Sequence, residues 1–327
     1  MKIFFAAPDN AGAVHHLGKR AMSSITHISV VGAGAMGAFY ASKFADMEGV
    51  TASLHAGGDR YKRLKEAGIT VNGIRYELPV ITPDDATAPA DVIIVAVKNQ
   101  HLGDAIGEMN NIVGENTAII SVMNGIDSEE QIGAVHGIEK MLYAVAVGID
   151  AVRERDAVTY TTQGTLYFGE ADNRVLSDRV RAIQALLDRA GIVYETPEDM
   201  IRILWWKFMI NVGINQTSAV LRAPYGVFQS LQEARELMDA AMREVTAVAA
   251  RADIHINDDD VENWYSFLAQ LSPEGKTSMF QDVEARRKTE VEMFAGKMIE
   301  LGKRYGVPTP VNHTLFRIIK VIETDFQ

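Results

Sequence analysis

Three polar residues stand at intervals of four within the apolar segment 204–219. Lys207, Asn211 and Asn215 would share one face of an α-helix, because a step of four residues rotates around the helix by only about 40°. Their stripe would be about 12 Å long. Since bulky apolar residues surround it, an ammonium and two amides cost free energy there unless a partner or a ligand hydrogen-bonds them.

Reduction of a ketone is a reaction that such a stripe could serve. As hydride reaches the carbon, negative charge builds on the oxygen, and a nearby ammonium can stabilise that charge and donate a proton. The structural alternative is that the stripe is the one wet face of the helix, with Lys207 extending into solvent. We favour a catalytic site, because the stripe follows a segment that resembles a dinucleotide-binding domain.

That segment carries a glycine-rich loop between a β-rich run, 28–31, and a helical run, 38–45. Gly32 permits a tight turn, Gly34 lets the backbone approach a pyrophosphate, and Gly37 lets the helix pack against the strand. Phosphates would sit at the helix N-terminus, where free N–H groups attract anions. The alternative is a glycine-rich structural turn. The predicted cofactor contacts are Gly32, Ala33, Gly34, Ala35, Met36 and Gly37.

The type of dinucleotide depends on the end of the second strand, where NAD-binding domains usually carry an acidic residue about 20 residues beyond the loop. Residues 53–60 place no acid on the strand itself. Arg60 could pair with a 2′-phosphate and His55 could assist, whereas Asp59 could instead contact a ribose, or both charges could be solvated. The pattern favours NADP as cofactor and does not exclude NAD.

The elements that must position these residues change type along the chain. Strands and helices alternate up to about residue 196, and helices alone follow. We predict an α/β protein with an N-terminal Rossmann-type doubly wound sheet, antiparallel additions at its end, and a C-terminal all-α domain. The predicted domains are an N-terminal extension, 1–24, expected to be disordered, a dinucleotide-binding domain, 25–196, and a helical substrate domain, 197–327. Among the finer predictions are a hairpin of 158–162 with 165–168 and single helices over 200–219 and 279–305.

Composition excludes several classes of protein. The chain has 327 residues, a formal charge of −11 and no cysteine, so disulfides, thiolate nucleophiles and Cys-bound zinc are ruled out. An acidic chain is a poor general binder of nucleic acid or of anionic membranes. The apolar run 91–97 is too short to span a membrane. We expect a cytoplasmic protein, without a metal and with a homodimer as one possibility, that acts on a small molecule.

Taken together, the motifs resemble those of the ketopantoate reductase (2-dehydropantoate 2-reductase) family from about residue 27 to the C-terminus. They are the glycine loop, residues 95–98 (VAVK), 123–125 (MNG), the Lys207 stripe, 277–282 (TSMFQD), 289–292 (TEVE) and 306–310 (GVPTP). The resemblance implies reduction of a 2-oxo acid, 2-dehydropantoate above all, to a 2-hydroxy acid with NAD(P)H.

The resemblance also implies roles for single residues. Lys207 would be the general acid, and Glu290, also catalytic, would hydrogen-bond the substrate or steady the lysine. Substrate would be bound by Asn124, Asn211, Asn215 and Ser278. Lys98 and Asn124 would lie near the cofactor. Each residue also has a structural explanation: a turn for Asn124, an N-cap with a capping box for Ser278, and solvent exposure for Glu290 and Lys98.

Two positions depart from the family pattern. Gly57 stands where an arginine for the 2′-phosphate is usual, and Gly275 stands where many members have a substrate-binding asparagine. These departures favour one alternative, a D-2-hydroxy acid dehydrogenase of the same family acting on a different 2-oxo acid. A second alternative, a non-catalytic NADPH-binding sensor, would fit the glycine loop alone. The acidic run at 258–260 is explained by the dipole of a helix N-terminus and does not require a metal.

Overall fold

The computed structural model describes residues 25–326, so the extension expected at 1–24 lies outside the described residues. The strands are β1 His27–Val31, β2 Thr51–His55, β3 Ile69–Val71, β4 Ile74–Tyr76, β5 Val80–Ile81, β6 Val92–Val95, β7 Ala118–Ser121, β8 Met141–Ile149, β9 Val152–Glu154, β10 Ala157–Thr159, β11 Gln163–Gly169 and β12 Tyr194–Glu195. The helices are α1 Ala35–Ala45, α2 Gly58–Ala67, α3 Leu102–Glu108, α4 Ser128–His136, α5 Asp178–Ala190, α6 Met200–Ile210, α7 Gln216–Leu221, α8 Tyr225–Ser230, α9 Gln232–Arg251, α10 Asp258–Leu268, α11 Ser278–Glu284, α12 Lys297–Tyr305 and α13 Pro310–Thr324.

The main sheet has eight strands in the order β12-β11-β8-β7-β6-β1-β2-β5. The six neighbouring strands β8, β7, β6, β1, β2 and β5 run parallel, and β11 pairs with β8 antiparallel. Every residue of β6 and β7 is buried, because helices cover both faces of the sheet. The strand order reverses between β1 and β6, so the glycine loop that follows β1 lies at the topological switch point where open α/β sheets bind ligands.

A second, smaller sheet has the order β4-β3-β10-β9 and lies beside α1. The hairpin predicted for 158–162 with 165–168 is wrong, because β10 pairs with β9 and β3 whereas β11 pairs with β8. Asp150 explains the separation. Its carboxylate accepts hydrogen bonds from the backbone N–H groups of Thr161 and Thr162, at 2.9 and 2.8 Å, and so holds the linker that crosses from one sheet to the other.

The C-terminal half is all-helical. Most of its helices pack against α9, and α11 packs against α7. The single helix predicted over 279–305 is wrong. Arg286 adopts a left-handed conformation, with φ 53°, and the Asp282 carbonyl accepts from the Arg287 N–H, which ends α11. The helix predicted over 200–219 is interrupted as well: a π-helical turn, Asn211–Asn215, separates α6 from α7.

The predicted fold class is therefore confirmed: a Rossmann-type doubly wound sheet precedes an all-helical region. Within residues 25–326, no helix has both the length and the apolar character that crossing a bilayer requires. The same residues contain no group of three or more His, Asp or Glu side chains arranged to hold a metal ion.

Candidate active site

The π turn aligns the polar stripe better than a regular helix would. In an α-helix, residues four apart drift around the axis, whereas a π turn holds more residues per turn and so rotates less at each one. The step from Asn211 to Asn215 therefore offsets the drift of the step from Lys207 to Asn211. The turn packs closely on α9, since a Cβ at Gly213 would lie 2.4 Å from Met242 Cγ.

A second π turn, Glu292–Gly296, packs against the first, and Gln216 links the two. The buried Gln216 side chain donates from Nε2 to the Val212 carbonyl at 2.7 Å and accepts from the Ala295 N–H at 3.1 Å. The wide turns would otherwise leave backbone groups without partners, so one amide satisfies a carbonyl in one turn and an N–H in the other.

A chain of amide hydrogen bonds joins the stripe to the sheet. Asn215 Nδ2 donates to Asn211 Oδ1, and Asn211 Nδ2 donates to Asn124 Oδ1, both at 3.4 Å. Asn124 Nδ2 in turn donates to Glu290 Oε2 at 3.0 Å. Because Asn124 follows the carboxyl end of β7, this chain connects the helical half to the sheet edge that carries the glycine loop.

Lys207 lies on the same stripe, one turn before Asn211, and is half-buried. Burial lowers the pKa of its ammonium from 10.5 to about 8. No hydrogen bond or ion pair to its Nζ occurs within the described part of the chain, residues 25–326. The amine therefore retains its donor capacity for a bound molecule, and its pKa allows it to release a proton near neutral pH.

Glu290 precedes the second π turn and is also half-buried. Burial raises the pKa of its carboxyl above the ordinary value, while the hydrogen bond from Asn124 and the charge of Lys98 act in the opposite direction. Glu290 also lines a cavity of about 100 Å³. Its other lining residues are Lys98, Asn99, Gln100, Lys288, Thr289, Glu292 and Met293.

Lys98 reaches across the cleft between the sheet and the helical half. Its Nζ donates to both carboxylate oxygens of Asp282, at 2.9 and 3.1 Å, and Arg287 Nε donates to the same carboxylate at 2.8 Å. A second tie joins Asp127 to Lys297, with 2.8 Å between the carboxylate and the ammonium. The structure thus places Lys98 on Asp282, in the wall of the cavity that Glu290 also lines.

Ser278 is exposed at the first residue of α11. The predicted N-cap role of Ser278 is wrong, because the preceding Thr277 caps the helix: its Oγ1 accepts from the Phe280 N–H at 3.2 Å. Thr277 is buried and also hydrogen-bonds Ser218. The Ser278 side chain, in contrast, is exposed at the first residue of the helix and does not cap it.

The three glycines of the glycine loop differ in how closely the protein packs around them. A Cβ at Gly37 would lie 1.7 Å from the Gly32 carbonyl oxygen, and a Cβ at Gly32, where φ is +98°, would lie 2.7 Å from Val97. A Cβ at Gly34, in contrast, would meet only the Ala96 carbonyl oxygen, at 4.0 Å. Protein packing therefore explains two of the glycines, while the third leaves open space that fits a pyrophosphate against the backbone.

Two further predicted residues lie near the end of β2. Arg60 is exposed in the first turn of α2. His55 is buried, and its Nε2 lies 3.2 Å from Asn111 Oδ1, while its Nδ1 has no partner among residues 25–326. Burial lowers the pKa of the His55 imidazole, which keeps it neutral and makes it a poor partner for a phosphate.

Sequence reasoning gave no role to several residues of this site. Asp282 ends the motif at 277–282, and its carboxylate could have been proposed as an ion-pair partner of Lys98. Gln216 and Asp127 gave no local signal, because their partners lie about 80 and 170 residues away along the chain.

The fold and site define an oxidoreductase with a Rossmann-type dinucleotide domain and a helical domain. Two family models cover most of the chain: Ketopantoate reductase PanE/ApbA matches residues 28–173, and Ketopantoate reductase PanE/ApbA C terminal matches residues 199–323. The chain belongs to the ketopantoate reductase family, as the sequence motifs predicted.

Individual relatives are distant but match over nearly their whole length. The chain is 25% identical to 2-dehydropantoate 2-reductase of Aquifex aeolicus, over 90% of this chain and 96% of the relative. It is 26% identical to 2-dehydropantoate 2-reductase of Archaeoglobus fulgidus, over 92% and 99%. Among solved structures, 2-dehydropantoate 2-reductase from Methylococcus capsulatus has a TM-score of 0.79 at 25% identity, over 92% and 98%. The fold is shared with D-mandelate dehydrogenase in its complex with NADH and anilino(oxo)acetate, at a TM-score of 0.81 and 21% identity, over 92% and 99%.

Proposed function

We propose that the protein reduces a 2-oxo acid to a 2-hydroxy acid with a nicotinamide dinucleotide. The observation that carries this proposal is the Lys207 amine, which burial deprives of water and which has no protein partner among residues 25–326. It stands one turn from an amide chain that ends at Glu290 and reaches the edge of the sheet beside the glycine loop. In this proposal residues 25–196 bind the dinucleotide, and residues 197–327 supply the acid.

The proposed chemistry divides between the cofactor and the chain. A bound reduced nicotinamide supplies hydride, while Lys207 stabilises the negative charge on the substrate oxygen and donates the proton. Asn124, Asn211 and Asn215 orient the substrate, because their amides already lie in one connected row. Glu290 accepts from the substrate hydroxyl or steadies the lysine.

The substrate carboxylate is assigned to the start of α11. Ser278 is exposed there, and the free N–H groups of a helix N-terminus favour an anion. The homodimer that the apolar helical half allows stays a prediction.

2-Dehydropantoate is the first candidate substrate, by membership of the family. A second candidate, another 2-oxo acid, is favoured by the packing at Gly275. A Cβ there would lie 2.8 Å from Tyr225 Cδ2 and 3.0 Å from the Ser272 carbonyl oxygen, so an asparagine cannot replace this glycine without a shift of the backbone. The hydrogen bond that such an asparagine would give to a polyol substrate is therefore lost.

Steady-state oxidation of NADH and of NADPH would test the proposal with a panel of 2-oxo acids that includes 2-dehydropantoate, 2-oxoisovalerate and benzoylformate. We expect turnover of at least one of these acids, and the ratio of kcat/KM values decides between the two candidate substrates. A protein that binds a reduced dinucleotide but oxidises it with none of them would support the non-catalytic sensor and refute the proposal.

A further inference from the structure

The end of β2 is where a Rossmann domain distinguishes the ribose of NAD from the phosphorylated ribose of NADP. Gly57 follows this strand and is the N-cap of α2, with an ordinary φ of −104° that any residue can adopt. A Cβ at Gly57 would lie 3.3 Å from Glu108 Oε1 and 3.6 Å from Glu108 Oε2. The carboxylate of Glu108, at the end of α3, thus rests against the bare Cα of Gly57.

The Glu108 carboxylate has acceptor capacity to offer a ligand. It is half-buried, and within residues 25–326 no hydrogen bond or ion pair to its oxygens is formed. The charge of Glu108 acts on the His55 imidazole, whose pKa is nevertheless lowered, chiefly by burial. The negative charge of Glu108 is therefore not cancelled by an adjacent cation.

An acidic side chain at this position normally accepts hydrogen bonds from the hydroxyl groups of the adenosine ribose. A phosphate on the 2′-oxygen would remove one of those donors and would bring up to about two negative charges against the carboxylate. Arg60, the predicted phosphate partner, is exposed in the first turn of α2 and forms no ion pair among the described residues.

We infer that Glu108 binds the adenosine ribose and makes the enzyme prefer NADH to NADPH, an inference that rests on the proposed function. The end of β2 carries no acidic residue, and Glu108 of α3 supplies the carboxylate instead. The carboxylate fits there because Gly57 has no side chain. This preference is opposite to the one that the sequence around Arg60 favours.

Direct binding separates this inference from catalysis. The dissociation constants of NADH and NADPH are measured by nucleotide fluorescence for the full-length protein and for Glu108→Gln. The matched control is Glu115→Gln, which makes the same change at an exposed position beyond the end of α3. We expect the wild type and the control to bind NADH at least about tenfold more tightly than NADPH, since hydrogen bonds to a charged group and the removal of like charge each contribute on that scale.

In Glu108→Gln we expect the ratio to shrink by about tenfold, with weaker NADH binding and stronger NADPH binding. The double variant Gly57→Arg/Glu108→Gln should prefer NADPH, because the arginine replaces the carboxylate beside the 2′-position. Tighter NADPH binding by the wild type, or an unchanged ratio in Glu108→Gln, would overturn the inference while leaving the proposed function intact. Failure of both dinucleotides to bind would overturn both.

Discussion

Replacing Lys207 by methionine should slow turnover strongly and at the same time stabilise the fold. The buried ammonium has a pKa of about 8 in place of 10.5, so the folded state holds the proton less tightly than the unfolded chain does. At about 1.4 kcal/mol per pH unit, this difference corresponds to roughly 3 kcal/mol. The cost is present in full below about pH 8 and disappears as the pH rises towards 10.5.

Methionine has nearly the same length as lysine and no charge, so Lys207→Met removes this cost without opening a large cavity. At pH 7 we expect the free energy of unfolding to rise by about 1–3 kcal/mol, the lower values reflecting the partial exposure of the side chain. The rate of dinucleotide oxidation with the best 2-oxo acid should fall by about 10²–10⁴-fold, the usual contribution of a general acid.

Urea unfolding and steady-state kinetics on the same preparations measure both effects. Lys303→Met is the control, since Lys303 is exposed on α12, and it should change the free energy of unfolding by less than about 0.5 kcal/mol and leave turnover unaltered. A Lys207→Met protein that is less stable than wild type at pH 7, or that retains its rate, would refute the assignment of a desolvated catalytic amine.

Three further perturbations have distinct outcomes. Gly34→Ala should leave the free energy of unfolding nearly unchanged but weaken dinucleotide binding at least about tenfold, because its methyl group fills only the space left for phosphate. Gly37→Ala should instead destabilise the fold. Equal effects of the two variants in a binding titration and a thermal melt would contradict this. Burial raises the pKa of the Glu129 carboxyl from 4.5 to about 7, so the wild type should lose up to about 3 kcal/mol of stability as the pH rises from 4.5 through 7. Glu129→Gln should lack that loss. Parallel pH profiles of urea unfolding for the two proteins would contradict this assignment. Wild-type kcat should fall as the pH rises through about 8, where Lys207 becomes neutral, and a rate that is flat to pH 10 would exclude lysine as the acid.

Local patterns were sufficient to predict the Rossmann-type sheet. The apolar runs that became β6 and β7, together with the glycines after β1, specify a buried parallel sheet with a loop at its switch point. The stripe was readable because its three residues repeat at a helical period. The role of each site residue stays a prediction, since geometry alone does not report turnover.

The sequence could not predict features that depend on distant contacts. β10 pairs with β3 and β9, and β11 pairs with β8, so each strand's partner lies outside the segment from 157 to 169, and Asp150 holds the linker between them. The break after α11 requires a left-handed conformation at Arg286, and arginine has no preference for that conformation that would predict it. The carboxylate beside Gly57 arrives from α3, about 50 residues further along, so no local motif shows it.

The first π turn sets the direction in which the side chains of α7 face, and the second π turn depends on that direction. The first turn, Asn211–Asn215, amounts to one surplus residue between α6 and α7, and deleting one residue from it would rotate α7 by about 100°. Gln216 would then turn away from Ala295, and Thr277 would lose Ser218. A single-residue deletion in the first π turn would therefore leave the Ala295 N–H of the second without its acceptor.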